Sequence, residues 1–174
     1  IAFLFFALVL LSGAGKDLDL EHNPSVIDFF SSFDTKSHLT IITFLLIGTV
    51  ITCIVQSSAA VMAITILLCS TGVLPIYLGI ALVMGENIGT TATANLAALG
   101  ANAQARRAAL AHLVFNVFGV IWVLCLFYPF VNLVCSLVGY NPDGNMSAAQ
   151  KATLLPIVLA MFHTCFNVCN TGVL

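Results

Sequence analysis

Gly85-Glu86-Asn87-Ile88-Gly89-Thr90-Thr91 and, upstream of it, Gln56-Ser57-Ser58-Ala59-Ala60 are two polar, small-residue faults set inside long apolar runs. Their glycines, serines and threonines weaken a helix. In lipid each unsatisfied N–H or C=O costs several kcal/mol, so irregular backbone at membrane depth persists only where it is buried in protein or lines a solute-filled cavity. Two such faults in one apolar chain point to a binding site.

The composition makes a membrane the expected surrounding. Of 174 residues, 60% are hydrophobic and 7% charged, with a mean hydropathy of +1.10, too few charges to cover a soluble domain of this size. The net charge is -2 and no basic cluster exceeds Arg106-Arg107, which sets nucleic acid aside as a partner. None of the six cysteines forms a C-x-x-C pair. Cys165 and Cys169 share a helical face that could in principle hold a metal, but cysteines in apolar helices behave as small hydrophobes.

Outward from the first fault, Leu39–Val55 and Val61–Leu68 are apolar, closing at Ser70-Thr71-Gly72. Residues 39–70 are too long for one straight crossing of a ~30 Å hydrocarbon core, and each half is too short to cross comfortably alone. They are either a helical hairpin that enters and leaves on one side with Gln56–Ser58 near its tip, or one tilted helix broken in the middle. Length favours the hairpin. Pro75 opens the next helix at a permitted position, and residues 75–100 read as a broken membrane helix, unwound from Gly85 to Thr91. Residues 108–139 exceed one span, which predicts a kink or long tilt, with Trp122 and Tyr128 as interface anchors. Asn141-Pro142-Asp143-Gly144 is a turn signal within a loop at 140–152. Residues 153–174 are the last membrane helix, interrupted by Pro156 near its start.

Toward the other end, Ile1–Leu11 is apolar but about half the ~20 residues a crossing needs, so residues 1–12 read as a truncated membrane helix. Residues 13–38 form a polar loop with five of the seven acidic residues: Asp17, Asp19, Glu21, Asp28 and Asp34. Within it, Asn23-Pro24 is an N-cap followed by proline at the first helical position. Ile27, Phe29, Phe30 and Phe33 give that short helix an apolar side suited to the membrane surface. Arg106-Arg107 places its connection on the cytoplasmic side. A hairpin at 39–70 then puts the acidic loop outside, and a single broken crossing puts it inside.

Between Lys36 and Arg106 the only charged side chain is Glu86. An intramembrane carboxylate is a functional hypothesis by default, with a position near the interface or beside a further part of the protein as the alternative. Interrupted helices supply both signs of partial charge: their N-termini point N–H groups at anions, and freed carbonyls with hydroxyls ligate sodium. Gln56, Ser57, Ser58, Asn87, Thr90 and Thr91 are the inventory for this, and Gly85 and Gly89 allow close backbone approach. A bound cation would neutralise an anionic substrate in place of Lys or Arg, and cotransport follows. Two echoes, His112 with Asn116 and His163 with Asn167, each put His and Asn on one helical face. They serve either as hydrogen bonds across the bundle or as supports behind the faults, with Asn116 and Asn167 the better candidates for that second job.

Gln56-Ser57-Ser58, then Gly85-x-Asn87-Ile88-Gly89-Thr90-Thr91, then Asn102-x-x-Ala105-Arg106-Arg107-Ala108-Ala109, resembles the type II sodium-phosphate cotransporter family, bacterial branch, from about residue 40 to residue 122. It looks like the second of that family's two inverted repeats. The resemblance implies an all-α polytopic membrane protein of the bacterial inner membrane, one repeat of an inverted-repeat transporter, with a re-entrant hairpin and a broken helix. It implies Gln56, Ser57 and Ser58 for inorganic phosphate, and Ser57, Ser58, Asn87, Gly89, Thr90 and Thr91 for sodium, the coupling ion. No cofactor and no other metal is implied. The remaining half of the site would come from an upstream repeat or a second chain, a homodimer included. Two positions depart from the family pattern. Ala59 stands where a third hydroxyl residue is frequent, and Glu86 stands where a small residue is frequent, which makes Glu86 a candidate coupling residue. An intramembrane enzyme pairing Glu86 with His112 or His163 has no nucleophile-base spacing, metal motif or nucleotide loop behind it, and a purely structural subunit leaves two costly faults unexplained.

Overall fold

The computed structural model describes residue 13 and residues 23–174. The helix expected over residues 1–12, and Asp17, Asp19 and Glu21, lie outside the described residues. Seven helices are described and no strand accompanies them among these residues: α1 Pro24–Ser31, α2 His38–Val55, α3 Ser58–Ser70, α4 Ile76–Ala98, α5 Ala103–Cys125, α6 Phe127–Val138 and α7 Ala148–Val173.

Local chemistry sets most of these ends. Asn23 caps α1 by accepting from Ser25 N at 3.1 Å, ahead of Pro24 at the first helical position. Phe30 and Phe33 then pack on Phe44 of α2. The long apolar stretch after Arg107 divides at Leu126, which leaves helical geometry at φ -114, ψ 25. Pro129 is the cause: it has no N–H to offer Cys125, and its ring crowds that carbonyl four residues back. Trp122 is not an interface anchor. It stacks edge-on against Phe130 and donates to Asn170 inside the bundle.

The last helix begins at Ala148, within residues 140–152 read as loop. Ser147 and Gln150 form a reciprocal capping box there, a signal present in the sequence as Ser-x-x-Gln. Pro156 does not interrupt α7, which carries through it with Leu155, Val158, Leu159 and Phe162 buried. The one backbone bond that proline removes is outweighed by that packing.

The unwinding expected at Gly85–Thr91 is absent, because α4 is helical throughout. Gly85 and Gly89 are spaced Gly-x-x-x-Gly, the pattern that lets two membrane helices bring their backbones together. A Cβ on Gly85 would overlap the Leu45 carbonyl oxygen and sit 2.7 Å from Thr49 N, and one on Gly89 would sit 2.6 Å from Thr52 Cβ. From the other side, a Cβ on Gly48 would overlap the Leu82 carbonyl oxygen. Thr49 Oγ1 reaches Gly85 O at 3.1 Å across this contact. A glycine costs about 1 kcal/mol in a helix interior, and here backbone-to-backbone packing offsets it.

These contacts give the topology. Gly48 meets Leu82, Thr49 meets Gly85 and Thr52 meets Gly89, so α2 runs parallel to α4. On α3 the order is reversed: Cys69 lies against Gly79, and Thr65 reaches Glu86. Hence α2 and α3 are antiparallel arms of a helical hairpin whose tip, Gln56-Ser57, lies beside the middle turns of α4. α4 is buried without interruption from Leu78 to Glu86, as befits the centre of a bundle whose other members, α2, α3, α5 and α7, all touch it.

The outside is apolar as well. Three helices, α2, α5 and α7, are long and apolar enough to cross a membrane. They expose Leu46, Val50 and Ile54, then Leu110, Val114 and Ile121, then Ile157, Met161 and Val168, at helical spacing. Apolar residues facing out over a packed interior place this chain among multi-pass membrane proteins.

Gly85→Ala and Gly48→Ala should each cost about 1–3 kcal/mol or more, since no flexible side chain can yield to the added methyl. Gly100→Ala, with nothing within 4 Å of its added Cβ, should be neutral. Thermal unfolding of the purified protein in detergent checks both, and equal melting of all three variants would refute the close contact.

Candidate functional site

The hairpin tip is built around an unusual residue. Gln56 ends α2 in left-handed geometry at φ 57, the only non-glycine residue with positive φ among those described. The left-handed region costs a side chain of this kind roughly 1–2 kcal/mol and usually goes to glycine. Ser57 follows in extended geometry, and its Oγ accepts from Ala60 N at 3.2 Å to cap α3. The N–H groups of Ser58 and Ala59, in the first turn, have no acceptor within their own helix and carry its positive dipole end.

That helix start opens on a cavity of about 280 Å³ lined by Ser58, Ala59 and Met62 of α3, Glu86 and Asn87 of α4 and His163 of α7. The volume is near the lower end of ligand pockets, about 300–1,000 Å³. Glu86 is 2% exposed, and its Oε1 lies 3.2 Å from Thr65 Oγ1. Asn87 donates from Nδ2 to Val83 O at 3.2 Å, which leaves Oδ1 to accept. His163 Nε2, 3.3 Å from that oxygen, is therefore the donor of the pair.

The residues singled out in the sequence are distributed unevenly around this cavity. Ser58, Glu86 and Asn87 line it, while Gln56, exposed, and Ser57, half-buried, form the adjoining tip. Gly89 is turned to α2, and Thr90 and Thr91 donate their hydroxyls to Glu86 O and Ile88 O of their own helix at 2.8 and 2.7 Å. Asn116 and Asn167 each donate to the carbonyl one turn back, of His112 and His163. His112 is exposed. Beneath the tip, Thr52 Oγ1 is buried without a hydrogen-bond partner.

Three side chains matter more than sequence reading indicated. His163 joins the cavity from 76 residues beyond Asn87, a distance at which no local pattern signals contact. Asn170 is wholly buried, donates to Phe115 O at 2.9 Å and accepts from Trp122 Nε1 at 3.4 Å, tying α7 to α5. Asn95 bridges α4 to α5, with Nδ2 2.9 Å from Thr91 O and 2.8 Å from Ala109 O. A buried polar side chain between apolar helices is an expected cross-link.

Comparison with known proteins follows this geometry. The family model described as Na+/Pi-cotransporter matches residues 30–139. The uncharacterized protein YqeW of Bacillus subtilis (strain 168) is 36% identical over 118 residues, 67% of this chain and 37% of the relative. YjbB of Escherichia coli (strain K12), whose name proposes inorganic phosphate export, is 36% identical over 94 residues, 54% of this chain and 17% of its own. The human sodium-dependent phosphate transport protein 2B is 40% identical over 111 residues, 62% of this chain and 16% of its own. The chain thus spans little more than a third of the first of these relatives and about a sixth of the other two. No solved structure matches it.

Asn170→Leu should destabilise the protein by about 1–3 kcal/mol through the lost buried hydrogen bonds. It should also move the emission of Trp122, the single tryptophan, to shorter wavelength as the indole N–H loses its polar partner. Unchanged melting and emission would mean the α5–α7 link is not made.

Proposed function

The chain belongs to the Na+/Pi-cotransporter family, and on that premise we propose that it supplies one half of the core of a transporter coupling sodium entry to inorganic phosphate uptake by alternating access. The observation that carries the reading is the start of α3 opening on a polar cavity beside the middle turns of α4. Phosphate would be held by the N–H groups of Ser58 and Ala59 and by the polar groups of Gln56, Ser57 and Ser58. Ala59 lacks a side-chain oxygen but keeps its N–H. A helix N-terminus suits such an anion because N–H groups and dipole act together.

No Lys or Arg lies between Lys36 and Arg106, so the phosphate charge needs another partner. Sodium fills that role on oxygen ligands drawn from Ser57, Ser58, Asn87, Gly89, Thr90 and Thr91, and the unpartnered Thr52 hydroxyl adds one more. Sodium bound near the phosphate makes each ion favour the other, which is the physical content of coupling.

Membrane placement follows from length. At ~1.5 Å per residue α4 is about 35 Å long, enough to span a bilayer. The hairpin tip, level with the middle of α4, then lies near the bilayer midplane, and α2 and α3 enter and leave on the same side. Such interrupted segments at the midplane are where transporters bind their ions. A related inverted repeat, upstream or in a second copy of the chain, would close the site from the opposite side. The setting is the inner membrane of a bacterium, and the activity is transport rather than catalysis.

Labelled phosphate uptake by the intact protein should depend on sodium, stop when choline replaces it, and fall at least tenfold in Gln56→Ala or Ser57→Ala. Tenfold corresponds to about 1.4 kcal/mol, less than one lost charge-assisted hydrogen bond. Uptake indifferent to both substitutions would defeat the site assignment. Stronger competition by sulfate or arsenate than by unlabelled phosphate would reassign the substrate to another oxyanion.

A further inference from the structure

Glu86 is the feature of the cavity that neither phosphate nor sodium accounts for. Its carboxyl is almost fully buried and shares a cavity of about 280 Å³ with Ser58, Asn87 and His163. A carboxylate and a bound oxyanion in so small a space repel each other, and no Lys or Arg of the segment is present to separate them.

The hydrogen-bond arithmetic around Thr65 points to the solution. Thr65 Oγ1 lies 3.0 Å from Val61 O, one turn back on its own helix, and 3.2 Å from Glu86 Oε1. A hydroxyl has one hydrogen. When that hydrogen goes to Val61 O, the closer of the two, Thr65 Oγ1 can only accept from Glu86, so the carboxyl must carry a hydrogen. When the hydroxyl turns instead to Glu86, it donates to a carboxylate. Both forms of Glu86 are thus satisfied by one side chain through a rotation, with no movement of either helix.

The surroundings of Glu86 leave few other ways to balance its charge. Among the described residues, α3 presents Ser58, Met62 and Thr65, and α7 presents His163. α2 brings Leu45, Thr49 and Thr52 against the neighbouring glycines. α5 meets α4 further along, through Asn95. The nearest guanidinium, Arg106, is spent on Leu99 O and Ala101 O beyond the end of α4, about 20 Å along the axis at ~1.5 Å per residue. His163 is the one titratable neighbour, and its Nε2–H is directed to Asn87 Oδ1.

We propose that Glu86 is a proton-binding site in the transport cavity, taking up one proton as the oxyanion binds and releasing it as the oxyanion leaves, so that a proton is carried with the substrate. This rests on the phosphate reading for the identity of the oxyanion. The proton comes from water on the loading side, forms the O–H bond of the Glu86 carboxyl, and returns to water on the other side. No other bond changes. Thr65 is a positioning residue that stabilises either form.

The test uses the intact protein in liposomes with the membrane potential clamped and sodium equal on both sides. One coupled proton predicts that an inward gradient of one pH unit raises steady-state phosphate accumulation about tenfold. In Glu86→Gln the ratio with and without the gradient should fall to one. Infrared difference spectra supply a readout that does not require transport: phosphate addition should produce a protonated-carboxyl C=O band that is missing in Glu86→Gln and displaced in Thr65→Val. Accumulation that ignores the pH gradient in the wild-type protein, a gradient response preserved in Glu86→Gln, or a carboxyl band unchanged by Glu86→Gln would each overturn the proposal. Absence of all phosphate uptake by the wild-type protein, with a pH-dependent Glu86 band still present, would overturn the phosphate reading and leave the proton site standing.

Discussion

The contact on which this structure depends is the approach of two helix backbones, α2 and α4, with no side chains between them. Gly48 on one helix and Gly85 and Gly89 on the other leave no room for a methyl group at the interface. Lipid gives no hydrophobic reward for bringing helices together, so close van der Waals packing and short polar contacts have to hold them. Thr49 Oγ1, within 3.1 Å of Gly85 O, adds one such contact at the point of closest approach. Because the fit is steric, it also sets the register: sliding α2 along α4 would drive a side chain into backbone.

That register decides where the hairpin tip falls. With Thr52 opposite Gly89, α2 ends at Gln56 beside the middle of α4, and α3 must start there. The turn is made with a glutamine in left-handed geometry rather than the customary glycine, an expense of backbone strain that makes sense where the side chain has a task. Glu86 and Asn87 follow directly on Gly85, so the helix face next to the packing seam is the wall of the cavity. One short stretch therefore holds α4 to the hairpin and presents polar groups to its tip.

The rest of the bundle shelters that wall. α7 brings His163 to Asn87 and is itself tied to α5 by Asn170, while Gly119 lets Asn170 and Phe166 come close. These polar links lie inside the protein, and the outward faces of α2, α5 and α7 are left to apolar side chains. The division is what a bilayer imposes, since a polar group facing lipid finds no partner. A cavity holding an acid, an amide, an imidazole and a hydroxyl inside such a shell is a place for a charged solute to sit.

Much of this was legible along the chain. Composition alone established an all-helical membrane protein, because apolar runs of this length without charges have one stable form in lipid. The break at Gln56-Ser57, the caps at Asn23 and Asn102, and the importance of the segment around Asn87 could be read locally, since caps and turns act over three or four residues. Gly85–Thr91 was read correctly as exceptional and wrongly as unwound: glycine weakens a helix in isolation, and only a neighbouring backbone turns the same spacing into a packing face. The meeting of Ser58, Glu86 and Asn87 with His163, and the burial of Asn170 against Phe115, were decided by tertiary structure. Those contacts join residues dozens of positions apart, and their existence depends on how whole helices register, which no short window of sequence contains.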